Sequence, residues 1–513
     1  MGNDRLSKIL TASVNGLDTE LVTVETDLTT GLPAFSLVGL PGSAVKESKE
    51  RVRAAIINSG YEFPLRRITV NLSPADTRKE GSHFDLPIAV GILAGAVKGE
   101  ILLPGAGRAA FLGELSLDGA MNRVAFSVAM ALGLYESGID HIFLPAANLR
   151  EVEELPNLLF YPAHSLAEVA DHLLGRGEIA PVRGGFRVKR KPSPVEKDDD
   201  FFSVKGQEAV KRALVIAAAG THDVCMTGPP GVGKTMLAKR IPGIMPPLTD
   251  AESSEVTRIQ SIAREQTMVM GLVTERPFRA PHHSATHAAI IGGGKRPRPG
   301  ELSLAHRGVL FLDELPEFPK YTLDMLRQPL EDRFIDLSRV GFKGRYPCDF
   351  LLIAAMNPCP CGYLGDPSHE CRCTQTQIQR YRSKLSGPLL DRIDIHIRVG
   401  AVEETEFWPE TEARECMTTA GMRKIVKDSR AFGASRNPGG VPNSRLSAEG
   451  IQEVCEMEPE AEDVLRKAYG YYSFSVRARS KLLKIARTIA DIAASKSIKA
   501  EHMAEAIAYR GVS

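Results

Sequence analysis

One run of the chain, residues 223–237 (DVCMTGPPGVGKTML), constrains the fold more than any other segment. Its first apolar residues predict a short buried strand, and its last residues predict the start of a helix. Between them, residues 228–235 match the phosphate-binding pattern G-x-x-x-x-G-K-[ST]. Because the backbone N–H groups of such a loop surround phosphate oxygens, the predicted nucleotide contacts are Gly228, Pro229, Pro230, Gly231, Val232, Gly233, Lys234, Thr235 and Met236.

Two side chains of this loop have specific roles in the pattern. Lys234 would neutralise β- and γ-phosphate oxygens, and the Thr235 hydroxyl would bind Mg²⁺. The alternative is a glycine-rich turn that matches by chance, and the flanking strand and helix argue against it. We therefore expect an α/β unit with a parallel sheet that binds ATP and Mg²⁺.

Two more strand-like runs follow, and each ends in a polar side chain suited to phosphate chemistry. The apolar run 309–312 (VLFL) leads into Asp313 and Glu314. Asp313 would orient Mg²⁺, and Glu314 would polarise the attacking water, which favours hydrolysis over simple nucleotide binding. The run 349–355 leads to Asn357, whose amide would sense the γ-phosphate.

At this point the sequence resembles the AAA+ ATPases, with Asn357 at the sensor-1 position. The run 387–394 (GPLLDRID) resembles the arginine-finger segment of that family. The resemblance implies that Arg392 reaches the ATP of a neighbouring subunit and stabilises transition-state charge. A salt bridge to an aspartate of the same run is the alternative. Ser475-Val476-Arg477 resembles sensor 2, which implies that Arg477 contacts the γ-phosphate in its own subunit; a solvated arginine is the alternative there.

A longer run narrows the family. Residues 276–301 (RPFRAPHHSATHAAIIGGGKRPRPGE), taken with the N-terminal segment and a cysteine cluster, resemble the magnesium-chelatase-like ComM/YifB family over nearly the whole chain. The resemblance implies a hexameric ATPase, and the best-understood members are DNA helicases that promote branch migration during natural transformation, the uptake of DNA by competent cells. The alternative is a magnesium-chelatase-like subunit that remodels a protein or a metal-insertion complex.

Two basic loops agree with a DNA partner. A Gly/Pro-rich loop at 292–300 carries Lys295, Arg296 and Arg298. A predicted hairpin at 334–346 carries Arg339, Lys343 and Arg345 near its tip. Such side chains could grip DNA phosphates within a ring. Solvated basic turns are the alternative for either loop.

Four of the eight cysteines lie in one 15-residue window: Cys359, Cys361, Cys371 and Cys373. Two C-x-C pairs can bring four thiolates to one Zn²⁺, and four thiols leave no open position, so the site would be structural. Disulfides or free thiols are the alternatives. The histidines at 282, 283 and 287 could suggest a second metal, but their spacing favours a structural or loop-positioning role.

The N-terminal residues 18–170 resemble the Lon-protease C-terminal domain, whose chemistry uses a Ser-Lys dyad. Around the expected serine the chain reads Gly81-Ser82-His83, and Val128 stands at the expected lysine position. Because no lysine is placed to deprotonate the hydroxyl, proteolysis is not supported. We expect a DNA-binding or ring-organising module there.

The 513 residues therefore divide into a Lon-protease-like α/β domain (1–173), a linker (174–200), a P-loop AAA+ core with a zinc knuckle (201–400) and a helical lid (401–513). The net charge of +1 excludes a globally basic protein but not a local basic channel. No apolar run reaches the ~18 residues of a spanning helix, and the first residues do not read as a secretory signal. These features predict a cytoplasmic location.

Overall fold

The computed structural model describes residues 6–96, 101, 103, 104, 108–185, 200–263, 271–294, 297–339, 342–367, 369–400, 418–472 and 475–510. The chain divides into two compact units. The first unit takes residues 1–190, 250–273 and 336–346, and the second takes 191–249, 274–335 and 347–513. The four-part division stays a prediction, because this division is coarser and assigns two segments of the predicted core to the first unit.

The first unit is built on a mixed eight-stranded sheet. Its strands, in spatial order, are Val182–Arg183, Leu159–Ala163, His141–Pro145, Ala109–Phe111, Leu6–Asn15, Asp18–Thr29, Arg67–Ser73 and Ala34–Val38. Alternate residues of Arg67–Ser73 are buried, as expected of a strand with one face on the core. The predicted alternation of strands and helices in this region is confirmed.

Helices of this unit pack against the sheet or against one another. They are Ser43–Asn58, Asp85–Ala96, Ser127–Glu136, Leu149–Val152, Leu166–Leu173 and, from the later segment, Asp250–Ala263. Residues 85–93 are all buried, which explains why that helix is apolar on every side rather than along one stripe. A small two-stranded sheet, Glu114–Leu115 with Met121–Asn122, completes the unit.

The second unit contains a five-stranded sheet in which every pairing is parallel. The spatial order is Phe278–Arg279, Val309–Leu312, Leu351–Met356, Val224–Thr227 and Ile395–Arg398. The central strands are buried along almost their whole length, so they read as continuous apolar runs. The three runs predicted to carry the chemistry are therefore adjacent strands, and their carboxyl ends lie at the same edge of the sheet.

The helices of this unit before residue 400 are Glu208–Gly220, Lys234–Ile244, His287–Ile291, Glu301–Leu304, Lys320–Met325, Arg327–Asp332, Gln375–Arg382 and Gly387–Leu390. Two hairpins accompany them: Gly292–Gly293 pairs with Arg298–Pro299, and Phe334–Arg339 pairs with Phe342–Pro347. The second hairpin confirms the predicted one, and its residues 336–346 are grouped with the first unit.

The described residues after 417 are largely helical. The helices are Thr419–Ala434, Ala448–Val454, Pro459–Tyr472, Val476–Ile492 and Ala500–Ala508. Three of the four residues predicted on one face of the run 477–496 are buried, and the fourth is half-buried. The predicted fold class, an α/β protein with a parallel P-loop sheet and a helical C-terminal region, is confirmed. Within the described ranges, no helix is long and apolar enough to cross a membrane.

Candidate nucleotide-binding site

The phosphate-binding loop joins the strand Val224–Thr227 to the helix Lys234–Ile244. Gly233, which directly precedes the helix, has φ +87°, a left-handed conformation that glycine adopts without strain. Gly228 lies so close to the next strand that an added Cβ would be 2.2 Å from the Val399 carbonyl oxygen. The two glycines therefore meet backbone requirements that other residues would not.

Lys234 is buried beneath the loop. Its Nζ donates to the carbonyl oxygens of Gly228 at 2.7 Å and Pro229 at 2.8 Å. It also donates to Asn357 Oδ1 at 3.1 Å, which joins the ends of two neighbouring strands. Burial lowers the pKa of Lys234, against the opposite effect of the carboxylates at 313 and 314. Lys234 and Asn357, which the sequence predicts from separate runs, are therefore in direct contact.

The two predicted magnesium ligands also lie together. The Thr235 hydroxyl donates to Asp313 Oδ2 at 2.7 Å. A hydroxyl and a carboxylate oxygen at this spacing are hard oxygen ligands of the kind Mg²⁺ takes alongside phosphate oxygens. The residues present therefore fit the ion that the sequence implies.

Glu314 follows the strand Val309–Leu312 and has φ +50°, an uncommon conformation for a residue with a side chain. Its backbone N–H donates to Asp313 Oδ1 at 2.9 Å, which holds the turn. Its Oε2 lies 3.4 Å from Nδ1 of His283. The strained turn directs an exposed carboxylate to the edge where the loop begins.

These residues line one open cavity of about 370 Å³. The lining residues are Pro230, Gly231, Val232, Gly233, Lys234, Thr235, Met236, Asp313, Glu314 and Asn357. A second cavity of about 270 Å³ shares Thr235, Asp313 and Glu314 with it, and His282 and His283 contribute to its lining. Most of the predicted nucleotide contacts are therefore brought together, and the histidine pair lies beside Asp313 and Glu314.

The two predicted arginines lie elsewhere and meet at a third residue. Arg392 Nη2 donates to Glu331 Oε2 at 2.9 Å, and Arg477 Nη2 donates to Glu331 Oε1 at 2.7 Å. Arg392 also donates to the carbonyl oxygens of Arg327 and Pro388, at 3.1 and 2.7 Å. The intrachain salt bridge left open for Arg392 thus exists, but its acceptor is in a distant helix rather than in the same run.

The four cysteines of the predicted knuckle form a compact cluster. The Sγ of Cys359 lies 3.4 Å from that of Cys361 and 3.7 Å from that of Cys371, and the last two are 3.6 Å apart. The Sγ atom of Cys373 completes the cluster, and the four Sγ atoms lie within 4.8 Å of one another. A tetrahedral ion with metal–sulfur bonds of about 2.3 Å has sulfur–sulfur edges of about 3.8 Å. The cluster is therefore compatible with a bound metal.

The knuckle touches the phosphate-binding loop through Gly362. This residue has φ +91°, and an added Cβ would lie 2.7 Å from Cδ of Pro230 and 3.9 Å from Cγ of Asn357. The backbone N–H of Tyr363 lowers the pKa of the Cys361 thiol to about 6. The cysteine cluster thus packs directly behind the cavity.

The predicted DNA contacts divide by position. Arg298 is exposed on the hairpin strand Arg298–Pro299, while Lys295 and Arg296 lie outside the described residues. Arg339 is the last residue of the strand Phe334–Arg339, and Lys343 is the second residue of the strand Phe342–Pro347. Arg345 lies farther along the strand and binds the Asp336 carboxylate with two hydrogen bonds, of 2.8 and 3.1 Å.

The protease-like positions of the first unit have other partners. The Ser82 hydroxyl contacts the Glu114 carboxylate. Lys79 is fully buried, and its Nζ donates to the carbonyl and hydroxyl oxygens of Thr77, at 2.9 and 2.7 Å. Val128 is buried in a helix. The absence of proteolytic activity stays a prediction.

Two residues that contact the predicted arginines were missed by the sequence analysis. Glu331 gives no sequence signal, because an acidic residue in a short polar helix is ordinarily solvated. Lys481 stands one helical turn after Arg477, so the spacing does place both on one face. Its partners, the Arg392 carbonyl oxygen and Asp394, lie far away in the sequence.

This sheet, loop and paired acidic strand end define a P-loop ATPase. Three family descriptions match the chain: "Magnesium chelatase, subunit ChlI" over residues 200–407, "Subunit ChlI of Mg-chelatase" over 24–148 and "Magnesium chelatase, subunit ChlI C-terminal" over 416–510. The class is therefore that of the AAA+ magnesium-chelatase-like ATPases.

Full-length relatives identify the family within this class. YifB of Salmonella typhimurium is 40% identical over 510 residues, covering 99% of this chain and 97% of YifB. The competence protein ComM of Haemophilus influenzae is 40% identical over 498 residues, covering 97% of this chain and 96% of ComM. The chain belongs to the ComM/YifB family. Lon protease 2 of Bacillus subtilis is 29% identical over 191 residues, covering 31% of this chain and 33% of that protease.

Proposed function

We propose that this chain is an ATP-driven DNA motor that assembles into a hexamer and acts as a helicase or branch-migration factor in recombination or natural transformation. The observation that carries the proposal is the convergence of Lys234, Thr235, Asp313 and Asn357 at the carboxyl edge of one parallel sheet. The name of the relative ComM supports the link to competence.

In the proposed hydrolysis, each side chain at the cavity has one task. Lys234 moves from the loop carbonyls to the β- and γ-phosphates, and Asn357 holds the γ-phosphate side. Thr235 and Asp313 hold Mg²⁺, which supplies charge neutralisation at the phosphates when bound. Glu314 accepts a proton from the attacking water, which its exposed carboxylate can reach.

The two arginines complete the proposed site from two directions. Arg477 contacts the γ-phosphate of its own subunit, and Arg392 contacts that of a neighbour in the hexamer. Both must first leave Glu331, because each guanidinium now donates to that carboxylate. When nucleotide binds, each guanidinium would exchange one acceptor, the partly exposed Glu331 carboxylate, for another, the more strongly charged phosphate.

The DNA contacts are proposed on charge and position. Lys295, Arg296 and Arg298 belong to the Gly/Pro-rich sequence 292–300, and Arg339, Lys343 and Arg345 belong to the predicted hairpin 334–346. Loops of this kind, repeated around a hexamer, would track the phosphate backbone without reading bases. We assign the predicted N-terminal domain, residues 1–173, a DNA-binding or ring-organising role.

The cysteine cluster is proposed to bind one structural Zn²⁺ through Cys359, Cys361, Cys371 and Cys373. The support is the set of short Sγ–Sγ distances and the all-thiol composition, which leaves no position for a reacting water. The ion would hold Gly362 against Pro230 and so stiffen the floor of the nucleotide cavity.

The test is steady-state ATP hydrolysis by the purified full chain, without DNA and with single-stranded or branched DNA at low salt. We expect several-fold stimulation that is lost as salt rises, because phosphate contacts release counterions. Combined replacement of Arg339 and Lys343 by alanine should make the plot of log binding constant against log salt concentration less steep. On single-stranded DNA the slope should fall by about 0.7 for each lost phosphate contact. Arg466→Ala, an exposed arginine outside both loops, is the matched control.

The alternative function, a magnesium-chelatase-like subunit that remodels a protein or metal-insertion complex, is favoured by the three family matches. The same assay separates the two. The motor would be contradicted if DNA did not change ATP turnover at any salt concentration and if the Arg339/Lys343 variant behaved like the Arg466→Ala control. That result would favour the chelatase-like function.

A further inference from the structure

The segment that carries Arg392 is short and is held from both sides. It connects the helix Gly387–Leu390 to the sheet strand Ile395–Arg398. On the sheet side, the N–H groups of Asp394 and Ile395 both donate to the Asp223 carbonyl oxygen, at 3.0 and 2.9 Å. These bonds fix the end of the segment to the edge of the phosphate-binding strand.

On the other side the segment is held by Lys481. The Nζ of Lys481 donates to the carbonyl oxygen of Arg392 itself at 2.5 Å, and it lies 2.6 Å from Asp394 Oδ1. The side chains of Lys481 and Asp394 are only 15% and 12% exposed, so water competes little for these contacts. Charge-assisted hydrogen bonds of this length are among the stronger polar contacts in proteins.

A second contact joins the same segment to the same helix. His222 is fully buried, and its Nδ1 lies 3.0 Å from Asp394 Oδ2 while its Nε2 lies 2.8 Å from the Thr488 hydroxyl. Thr488 and Lys481 both belong to the helix Val476–Ile492 and stand two turns apart on one face. Burial alone would raise the pKa of Asp394, but Lys481 and His222 outweigh it and hold that pKa well below its usual range.

This helix also carries Arg477 near its N-terminus. Ser475 caps that end of the helix, and its side chain accepts a hydrogen bond from the Ala478 N–H. One helix therefore bears the arginine proposed to act in its own subunit and the lysine that holds the backbone of the arginine proposed to act on a neighbour. Arg477 and Lys481 are separated by about one helical turn, so they move together when the helix moves.

We propose that Lys481 is a positioning residue for Arg392: it couples the helix Val476–Ile492 of one subunit to the guanidinium that this subunit presents to its neighbour's ATP. The inference rests on the trans role of Arg392 under the proposed function. When the helix Val476–Ile492 closes on the nucleotide of its own subunit, Lys481 moves with it and positions the Arg392 guanidinium at the nucleotide of the next subunit. Successive sites in the ring are then linked through the largely buried ion pair between Lys481 and Asp394.

The first experiment compares Lys481→Met with Lys484→Met in the full chain. Methionine keeps most of the apolar stem and removes the ammonium. Lys484 lies on the same helix and is half-buried, but its Nζ donates to the Ser444 carbonyl oxygen at 3.1 Å. Lys481→Met should lose about 100-fold in ATP turnover, the scale of a misplaced catalytic group, while nucleotide affinity stays near that of the parent. Lys484→Met should keep its turnover. Equal turnover in both variants overturns the proposal.

The second experiment asks in which subunit Lys481 acts. Lys481→Met is co-expressed with Glu314→Gln, which binds ATP without hydrolysing it and keeps an intact Lys481 and Arg392. If Lys481 positions Arg392, the nucleotide-bound Glu314→Gln subunit supplies a working arginine to its neighbour, and the mixed hexamer regains turnover that neither variant shows alone. If Lys481 acts only within its own subunit, mixing restores nothing and the proposal is overturned.

Arg392→Ala mixed with Glu314→Gln serves as the reference. Rescue in the reference but not with Lys481→Met removes the positioning role and leaves the trans role of Arg392 intact. If the reference mixture is not rescued, the trans role of Arg392 is contradicted, and the positioning role of Lys481 is lost with it. Asp394→Asn, which keeps the size of the side chain and removes its charge, should show the same rescuable loss as Lys481→Met and guards against a folding defect peculiar to one substitution.

Discussion

Arg392 and Arg477 donate to the two opposite oxygens of a single carboxylate, that of Glu331. Both arginines were predicted to contact γ-phosphates, one in a neighbouring subunit and one in its own. Their shared acceptor is 42% exposed, and its helix, Arg327–Asp332, begins two residues after Lys320–Met325 ends. One carboxylate outside the cavity therefore binds both of the arginines that are predicted to contact nucleotide.

Glu331→Gln is expected to tighten nucleotide binding. The substitution weakens the acceptor that competes with phosphate for both guanidinium groups, and a partly exposed ion pair contributes up to about 1 kcal/mol, or about fivefold in affinity. The measurement is the dissociation constant of a non-hydrolysable ATP analogue. Glu317→Gln breaks a comparable exposed pair with Lys384 and should leave the affinity unchanged. Weaker binding by Glu331→Gln would contradict the competition.

Glu314→Gln should separate binding from hydrolysis. Glutamine keeps the shape of the side chain but does not accept the proton of the attacking water, so turnover should fall by at least about 100-fold. Nucleotide affinity should stay within about twofold, because Lys234 and Thr235 are untouched. Steady-state turnover and equilibrium binding of ATP are measured on the same preparation. Unchanged turnover would remove Glu314 from its assigned role.

Gly362→Ala should impair nucleotide binding through the loop. The new Cβ would lie 2.7 Å from Cδ of Pro230, so the loop or the knuckle must shift. Gly365→Ala is the control, since Gly365 belongs to the same knuckle and also has a positive φ, +78°, but has open space around its Cβ. Backbone strain is thus common to both variants, and a difference in ATP affinity reports the clash. Equal affinities would mean that the knuckle does not support the loop.

Metal analysis of the purified chain should find about one zinc per chain, bound by four thiolates. Cys371→Ser should lose that zinc and lower the melting temperature, because three thiolates hold the ion less well. Cys455→Ala removes a buried thiol outside the cluster and should retain the metal. Equal zinc content in the Cys371→Ser variant and the parent would contradict the proposed site.

The first unit should lose stability in acid because of His83. Burial lowers the pKa of His83 to about 4, against the effect of its contact with the Ala12 carbonyl oxygen. The folded state therefore excludes a proton that the unfolded chain binds, and this contribution is present above pH 6.5 and lost as the pH falls towards 4. The full effect is about 3 kcal/mol.

His83→Gln tests this contribution, because glutamine can still hydrogen-bond the Ala12 carbonyl but does not titrate. The melting temperature is followed from pH 7 to pH 4.5. The variant should lose less stability over this interval than the parent, while His164→Gln, at an exposed position, should follow the parent. A His83→Gln profile as steep as that of the parent would exclude His83 as the cause.

Much of the site follows from contiguous sequence. Gly228 to Thr235 form a loop whose geometry depends on residues next to one another, so the pattern alone predicts where Lys234 and Thr235 point. The cysteine pairs are similar, because a nine-residue loop can close two C-x-C pairs into one cluster. The convergence of Asp313 and Asn357 on this loop follows from the parallel-sheet rule once the three strands are recognised.

Other relationships depend on the tertiary structure. Glu331 is separated by 61 residues from Arg392 and by 146 from Arg477, and Lys481 is 89 residues from the carbonyl it holds. His283 was assigned a positioning role in the sequence, but its proximity to Glu314 emerges only when the two chain segments are folded together.

Short-range geometry and periodic burial are enough to predict the phosphate-binding loop, the strands that carry its partners and the cysteine cluster. The carboxylate shared by Arg392 and Arg477, and the lysine that holds the backbone of Arg392, emerge only from the folded chain. Long polar side chains reach partners across helix and strand packing, and that packing is set by the whole buried core rather than by the spacing of residues along the chain.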